Sequence, residues 1–129
     1  MKVLSCKNIT YILIFFFSFN CAAARNRILF LEKRVSVLKL IVDPEKYDKK
    51  YVYAIGYLKF VDYKPRLYLY KEFSDYEINE NSVLIDKSFK IDLFKYNNKF
   101  VFVGGTFDSN SNSLINANDI QEFHEYMHP

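Results

Sequence analysis

The chain has few of the residues that break, cluster or cross-link a polypeptide. Of 129 residues, three are glycine, three proline and two cysteine, and tryptophan is missing altogether. So little glycine and proline excludes a collagenous or low-complexity chain. Both cysteines, Cys6 and Cys21, fall within residues 1–24. Removal of that segment would leave no thiol for a disulfide, a metal cluster or a nucleophile. An excess of one charge is also missing. Residues 1–24 hold Lys2 and Lys7 and no acid, so taking those two from the 18 Lys and Arg leaves 16 bases against 15 acids, a net charge of +1. Such a balance excludes the strong positive field of a nucleic-acid binder. The full chain is 50% hydrophobic and 26% charged, the make-up of one small globular domain. Aromatic residues are abundant, 11 Tyr and 13 Phe, and favour strands built from Tyr, Phe, Val and Ile.

The N-terminus has the three-part order of a secretory signal peptide. A short basic stretch from Met1 to Thr10 precedes an apolar run from Tyr11 to Phe19, and small residues at Ala22, Ala23 and Ala24 precede Arg25. The run is shorter than the ~20 residues that a membrane-spanning helix needs, so no permanent span is expected. Cleavage after Ala24 would release the domain outside the cytoplasm, in the periplasm or beyond. Lipid anchoring at Cys21 is the alternative, set back by Ser18, Phe19 and Asn20, which match a lipidation site poorly.

Residues 25–34 read as a linker or weak strand, and residues 35–129 as the folded domain with a C-terminal tail. Ser36 can cap a short helix over Val37, Leu38, Leu40 and Ile41 that stops near Asp43 and Pro44. Pro44 to Asp48 reads as a helical turn. Strands are expected over Tyr51–Val61, Arg66–Phe73, Ser82–Asp86 and Phe100–Phe107, with a four-residue turn at Asp62–Pro65. A local repeat links two of them. Lys46 to Tyr53 (KYDKKYVY) and Lys95 to Phe102 (KYNNKFVF) match at a constant offset of 49, which Gly56 and Gly105 share. Each copy is a polar turn feeding a strand that contains a glycine, a device that lets a sheet bend sharply.

The stretch from about Val35 to Phe107 resembles a group of small exported bacterial proteins with an OB-like fold. The residues that carry the resemblance are Pro44-Glu45-Lys46-Tyr47-Asp48, Lys50, Val52, Gly56-Tyr57-Leu58, Leu67-Tyr68-Leu69, Lys71-Glu72, Tyr96-Asn97, Lys99, Val101 and Gly105-Thr106-Phe107. The resemblance implies an α+β, mostly β fold, a small five-stranded OB-like barrel with one short N-terminal helix, and it brings no catalytic residues. Glycine usually follows each turn Asp or Asn in that group. Here Lys49 and Asn98 stand instead, and a wider first turn is expected because Lys tolerates left-handed geometry poorly.

Two motifs imitate metal sites. His124-Glu125-Tyr126-Met127-His128 fits H-E-x-x-H, which on a helix sets two His on one face for zinc. The common metallopeptidase patterns place a third ligand downstream, where this sequence has only Pro129, so a polar tail is the expectation. Asp108, Asn110, Asn112 and Asp119 sit at positions 1, 3, 5 and 12 of a calcium loop, with Ile120 to Met127 as a possible exit helix. Ser113 replaces the glycine of the sharp turn and Asp119 is shorter than the usual Glu, so a solvated loop is expected. The acidic group Asp75, Glu77 and Glu80 reads as a solvated loop as well. No cofactor and no catalytic set is expected.

Alternation along Tyr51–Val61 puts Val52, Ala54, Gly56, Leu58 and Phe60 on one face and Tyr51, Tyr53, Ile55, Tyr57 and Lys59 on the other. Leu67 and Leu69 oppose Tyr68 and Tyr70 in the next segment. Burying the aliphatic set would leave Tyr51, Tyr53, Tyr57, Tyr68 and Tyr70 beside Lys59 as one exposed face, the surface on which OB folds bind oligosaccharides. Cross-strand tyrosine pairs that only stabilise the sheet, or support a dimer, are the competing explanation. The sequence therefore points to an exported, non-catalytic, monomeric or homodimeric binding module whose partner is an envelope glycan or an unidentified protein. An inhibitor or immunity-type protein is the alternative.

Overall fold

The computed structural model describes residues 33–124. The expected signal peptide, the lipid-anchor position Cys21, residues 25–32 of the expected linker, and His128 all lie outside the described residues.

The chain begins with a short strand, β1 (Arg34–Ser36), followed at once by helix α1 (Val37–Val42). Ser36 ends the strand and caps the helix, its hydroxyl accepting from the Lys39 N–H at 3.3 Å. α1 drives Val37 and Leu40 into the core. Pro44 opens a further turn, α2 (Pro44–Tyr47), with its fixed φ and missing N–H well suited to that first position.

β2 (Tyr51–Val61) is the longest strand and organises the rest. Along one edge it pairs antiparallel with β5 (Lys99–Asp108). Along the other it pairs first with β1, in parallel, and then with β3 (Lys64–Tyr68), antiparallel. Gly56 sits where that second edge changes partner. A Cβ there would lie 2.9 Å from the Tyr68 carbonyl oxygen and 2.9 Å from Val37 Cγ2, so only glycine lets the end of β3 and the start of α1 close on the strand. β3 pairs with β4 (Ser82–Ile85), β4 runs parallel to β6 (Ser113–Glu122), and β6 pairs antiparallel with β5. The result is a mostly β fold with a six-stranded mixed sheet in which β5 pairs back onto β2. Its interior holds Val52, Ala54, Leu58, Leu67, Val103 and Phe107 among other buried residues.

The repeated unit forms a local twofold arrangement. Copies one and two enter β2 and β5, which pair with each other from Tyr51↔Thr106 to Leu58↔Lys99. Each turn ties down the far end of the other copy. The Lys49 N–H donates to the Phe107 carbonyl at 2.7 Å and the Asn98 N–H to the Leu58 carbonyl at 2.8 Å. In the same way Asp48 Oδ1 accepts from the Ser109 N–H at 2.9 Å, and Asn97 Oδ1 from the Phe60 N–H at 3.1 Å. Lys49 takes φ 60° and Asn98 φ 63°. The first turn is thus no wider than the second, a correction to the expectation. Its backbone is held left-handed by bonds at both ends, and the lysine accepts the strain.

Four further expectations are corrected. Arg66–Phe73 is not one strand: β3 starts earlier and ends at Tyr68, and Lys71–Asp75 forms helix α3. The turn after β2 is two residues, Asp62 and Tyr63, at φ 51° and 64°, with Pro65 already in β3 opposite Phe60. Two positive φ values give a hairpin turn whose twist matches the strands. Where one short helix and a helical turn at Pro44 to Asp48 were expected, the described residues form α1, α2 and the unexpected α3. Ser113–Glu122, expected as solvated loop and tail, is strand β6, and β1 adds a further strand to the expected five. No helix among the described residues is long and apolar enough to cross a membrane.

Candidate functional site

The alternation of β2 does separate two faces, but the outer one is not a continuous tyrosine surface. α3 and the single helical turn Asn79–Asn81 pack over part of it. Tyr68 is fully buried, and its hydroxyl donates to Asn79 Oδ1 at 2.8 Å. Its cross-strand partner Tyr57 is 7% exposed, edge-on to Phe100 at 5.2 Å. Burial raises the pKa of both phenols, helped at Tyr57 by the charge of Asp75. Lys59 donates to the Ser74 carbonyl at 3.1 Å and so clamps α3 to β2. Tyr57 and Tyr68 therefore hold the fold together and face no open surface, which corrects the expectation, while Lys59 stays half-buried with its ammonium tied to α3.

Tyr51, Tyr53 and Tyr70 remain accessible, at opposite ends. Tyr51 and Tyr53 meet edge to face at 5.3 Å, and the Tyr51 hydroxyl donates to Asn118 Oδ1 at 2.7 Å. Desolvation, then the hydrogen bond with Tyr53, holds the Tyr51 pKa well above the ordinary phenol value. Asn118 reaches Tyr51 because β6 bulges: Gly104 pairs with Asp119 while Thr106 pairs with Ile115, leaving Asn116 at φ 53°. Gly104 leaves the room that this tyrosine uses, since a Cβ there would run into the Tyr51 hydroxyl.

Tyr70 stands 55% exposed just before α3, its ring 5.7 Å from Phe73. It borders a cleft of about 330 Å³ lined by Ser36, Ile55, Gly56, Leu69, Tyr70, Phe100 and Phe123. Pairing places Phe100 beside Tyr57 and Phe102 beside Ile55 on the outer face of β5. Phe123 follows β6, donates its N–H to the Phe100 carbonyl at 2.8 Å and meets Phe102 edge-on at 5.4 Å. These phenylalanines were missed in the sequence. Phe100 and Phe102 alternate with buried Val101 and Val103, a signal of an aromatic outer face that the repeat already contained.

The metal candidates fall on different elements. Asp108 ends β5 and accepts from the Asn110 N–H at 3.3 Å and the Ser111 hydroxyl at 2.7 Å. Asn112 donates to the Ser82 carbonyl at 3.2 Å, and Asp119 lies within β6. The expected loop is thus split between a turn and a strand, with no exit helix at Ile120. His124 is exposed in irregular chain after β6, while Glu125 to His128 lie outside the described residues. Among the described residues no group of three or more His, Cys, Asp or Glu is placed to hold a metal ion.

Comparison with protein-family models, curated proteins and solved structures finds no match to this chain. The resemblance to exported OB-like proteins rests on the quoted residues alone.

Proposed function

We propose that this chain is an exported, non-catalytic binding module built on an OB-like barrel, with its ligand surface on the outer face around the Tyr70 cleft. The fold part is supported by the pairing of β2, β3, β4, β6 and β5 in turn, with β5 returning to β2. One observation carries the functional part: Tyr70, Phe100 and Phe123, at 55%, 37% and 36% exposure, converge on a single apolar cleft. Grouped exposed aromatics are unfavourable in water and mark surfaces that something else covers.

An envelope glycan would stack on Tyr70 at one end and on Tyr53 at the other. Titrating the full-length chain with soluble peptidoglycan fragments tests this. Tyr70→Ala should weaken binding by about 1–3 kcal/mol, the usual worth of one stacked ring, while circular dichroism stays unchanged. Retained affinity in that variant removes the cleft from the site. The second reading, an inhibitor or immunity-type protein, is favoured by the lining itself. Of the described lining residues only Ser36 and Tyr70 carry a hydroxyl, few partners for a sugar and enough for an apolar protein surface.

A further inference from the structure

The cleft continues into a cationic edge through direct ring contacts. Phe123 lines the cleft and meets Phe102, and the Arg34 guanidinium lies over the Phe102 ring, 5.9 Å from its centroid. One residue earlier, the Lys33 ammonium lies over Tyr51 at 5.7 Å. Both side chains are exposed, and neither forms an ion pair among the described residues, where Lys99–Glu122 does at 3.5 Å. Pairing sets Arg34 beside Tyr53, Tyr53 beside Gly104 and Gly104 beside Asp119, so among the described residues this row sets Lys33 and Arg34 against the carboxylate of Asp119.

Building on the proposed binding face, we infer that its ligand is a small amphipathic anion. The apolar body fills the cleft, and the anionic head lies past Phe123 and Phe102 against Arg34. Three observations point to this class. The cleft volume, about 330 Å³, lies at the small end of the usual range for small-molecule sites, roughly 300–1,000 Å³. The lining is apolar with few hydroxyls, which suits an alkyl or aryl body better than a sugar. The exposed guanidinium beside it has an aromatic ring on one side and no paired carboxylate among the described residues, so an incoming anion meets a charge that is open to it.

The test is an NMR titration of the full-length chain with sodium octanoate and, separately, with octanol, following the methyl signals of Ile55 and Leu69. Octanoate should shift both saturably and bind more tightly than octanol. Arg34→Gln should weaken octanoate about fivefold, the scale of one accessible ion pair, and leave octanol unchanged. Lys33→Gln serves as a second charge variant, with circular dichroism as the folding control for both. Equal affinity for octanol and octanoate, or no effect of Arg34→Gln, overturns the proposal. So does a result in which octanoate fails while a hexapeptide carrying aspartate two residues from phenylalanine moves the same signals, which would make the occupant a partner protein. If octanoate fails but Tyr70-dependent binding of peptidoglycan fragments persists, the ligand class is wrong and the binding face stands. If none of these probes binds, both fall.

Discussion

Tyr68 separates a tyrosine that binds from a tyrosine that holds the fold. It is fully buried, pairs across strands with Tyr57 and Ser82, and donates to Asn79. Tyr68→Phe removes only the hydroxyl. Asn79 is exposed and can turn to water, so the loss is that of one ordinary hydrogen bond, about 0.5–1.5 kcal/mol. Tyr68→Ser removes the ring from a site with no solvent access, and by analogy with Phe→Ala in cores the loss is about 3–5 kcal/mol. A domain of this size loses roughly 4–8 °C in Tm per kcal/mol. The Phe variant should therefore melt several degrees below the parent, and the Ser variant well over 10 °C below it or already unfolded. Thermal melts followed by circular dichroism, with urea titration for free energies, give both numbers. A Ser variant melting within a few degrees of the parent would refute the buried position, and a selective loss of ligand binding in it would restore Tyr68 to the binding surface.

Outcomes for four further variants are expected. Gly56→Ala should cost about 1–3 kcal/mol by overpacking, since its Cβ meets backbone and Val37 at 2.9 Å. Gly104→Ala should cost less, because the atoms it meets belong to the side chains of Tyr51 and Tyr53 and not to backbone; urea midpoints rank the two. Tyr63→Gly should raise stability by up to about 1 kcal/mol, relieving a left-handed residue that is 99% exposed and packs on nothing; a lower urea midpoint would contradict the turn geometry. Asp48 has its pKa lowered chiefly by the Ser109 N–H it accepts from, so it contributes stability above the ordinary aspartate range that disappears as pH falls through and below that range. Asp48→Asn keeps the acceptor, as Asn97 does in the second copy, and should flatten that acid limb. An unchanged acid limb in stability measured from pH 6 to pH 2 would assign the limb to other groups, such as Asp86, whose pKa the bonds from Ser88 also lower.

The elements legible in the sequence are those whose signal is local. Ser36 before an apolar stripe and Pro44 after it bound α1, because capping and the fixed proline φ act within a few residues. The alternation from Tyr51 to Val61 marks β2 over its observed length, and the matching turns at Asp48-Lys49 and Asn97-Asn98 share one conformation. Leu69 to Phe73 misleads for the same reason. Its alternation continues that of β3, yet the chain leaves the sheet at Tyr70 and forms α3, clamped by Lys59 from a strand earlier in the chain. Ser113 to Glu122 contains Asn116, Ala117, Asn118 and Asp119, poor strand formers that only pairing with β4 and β5 makes a strand.

The same division applies to the candidate site. Local pattern determined that β2 has an aliphatic face and an aromatic face, since a strand alternates with period two whatever surrounds it. Which aromatic residues stay accessible depends on what is laid over that face. α3 and the Asn79–Asn81 turn cover Tyr57 and Tyr68, while the arrival of β6 brings Phe123 to Phe100 and builds the cleft beside Tyr70. Burial is a property of pairs of segments far apart in the chain, so only the tertiary structure could decide it.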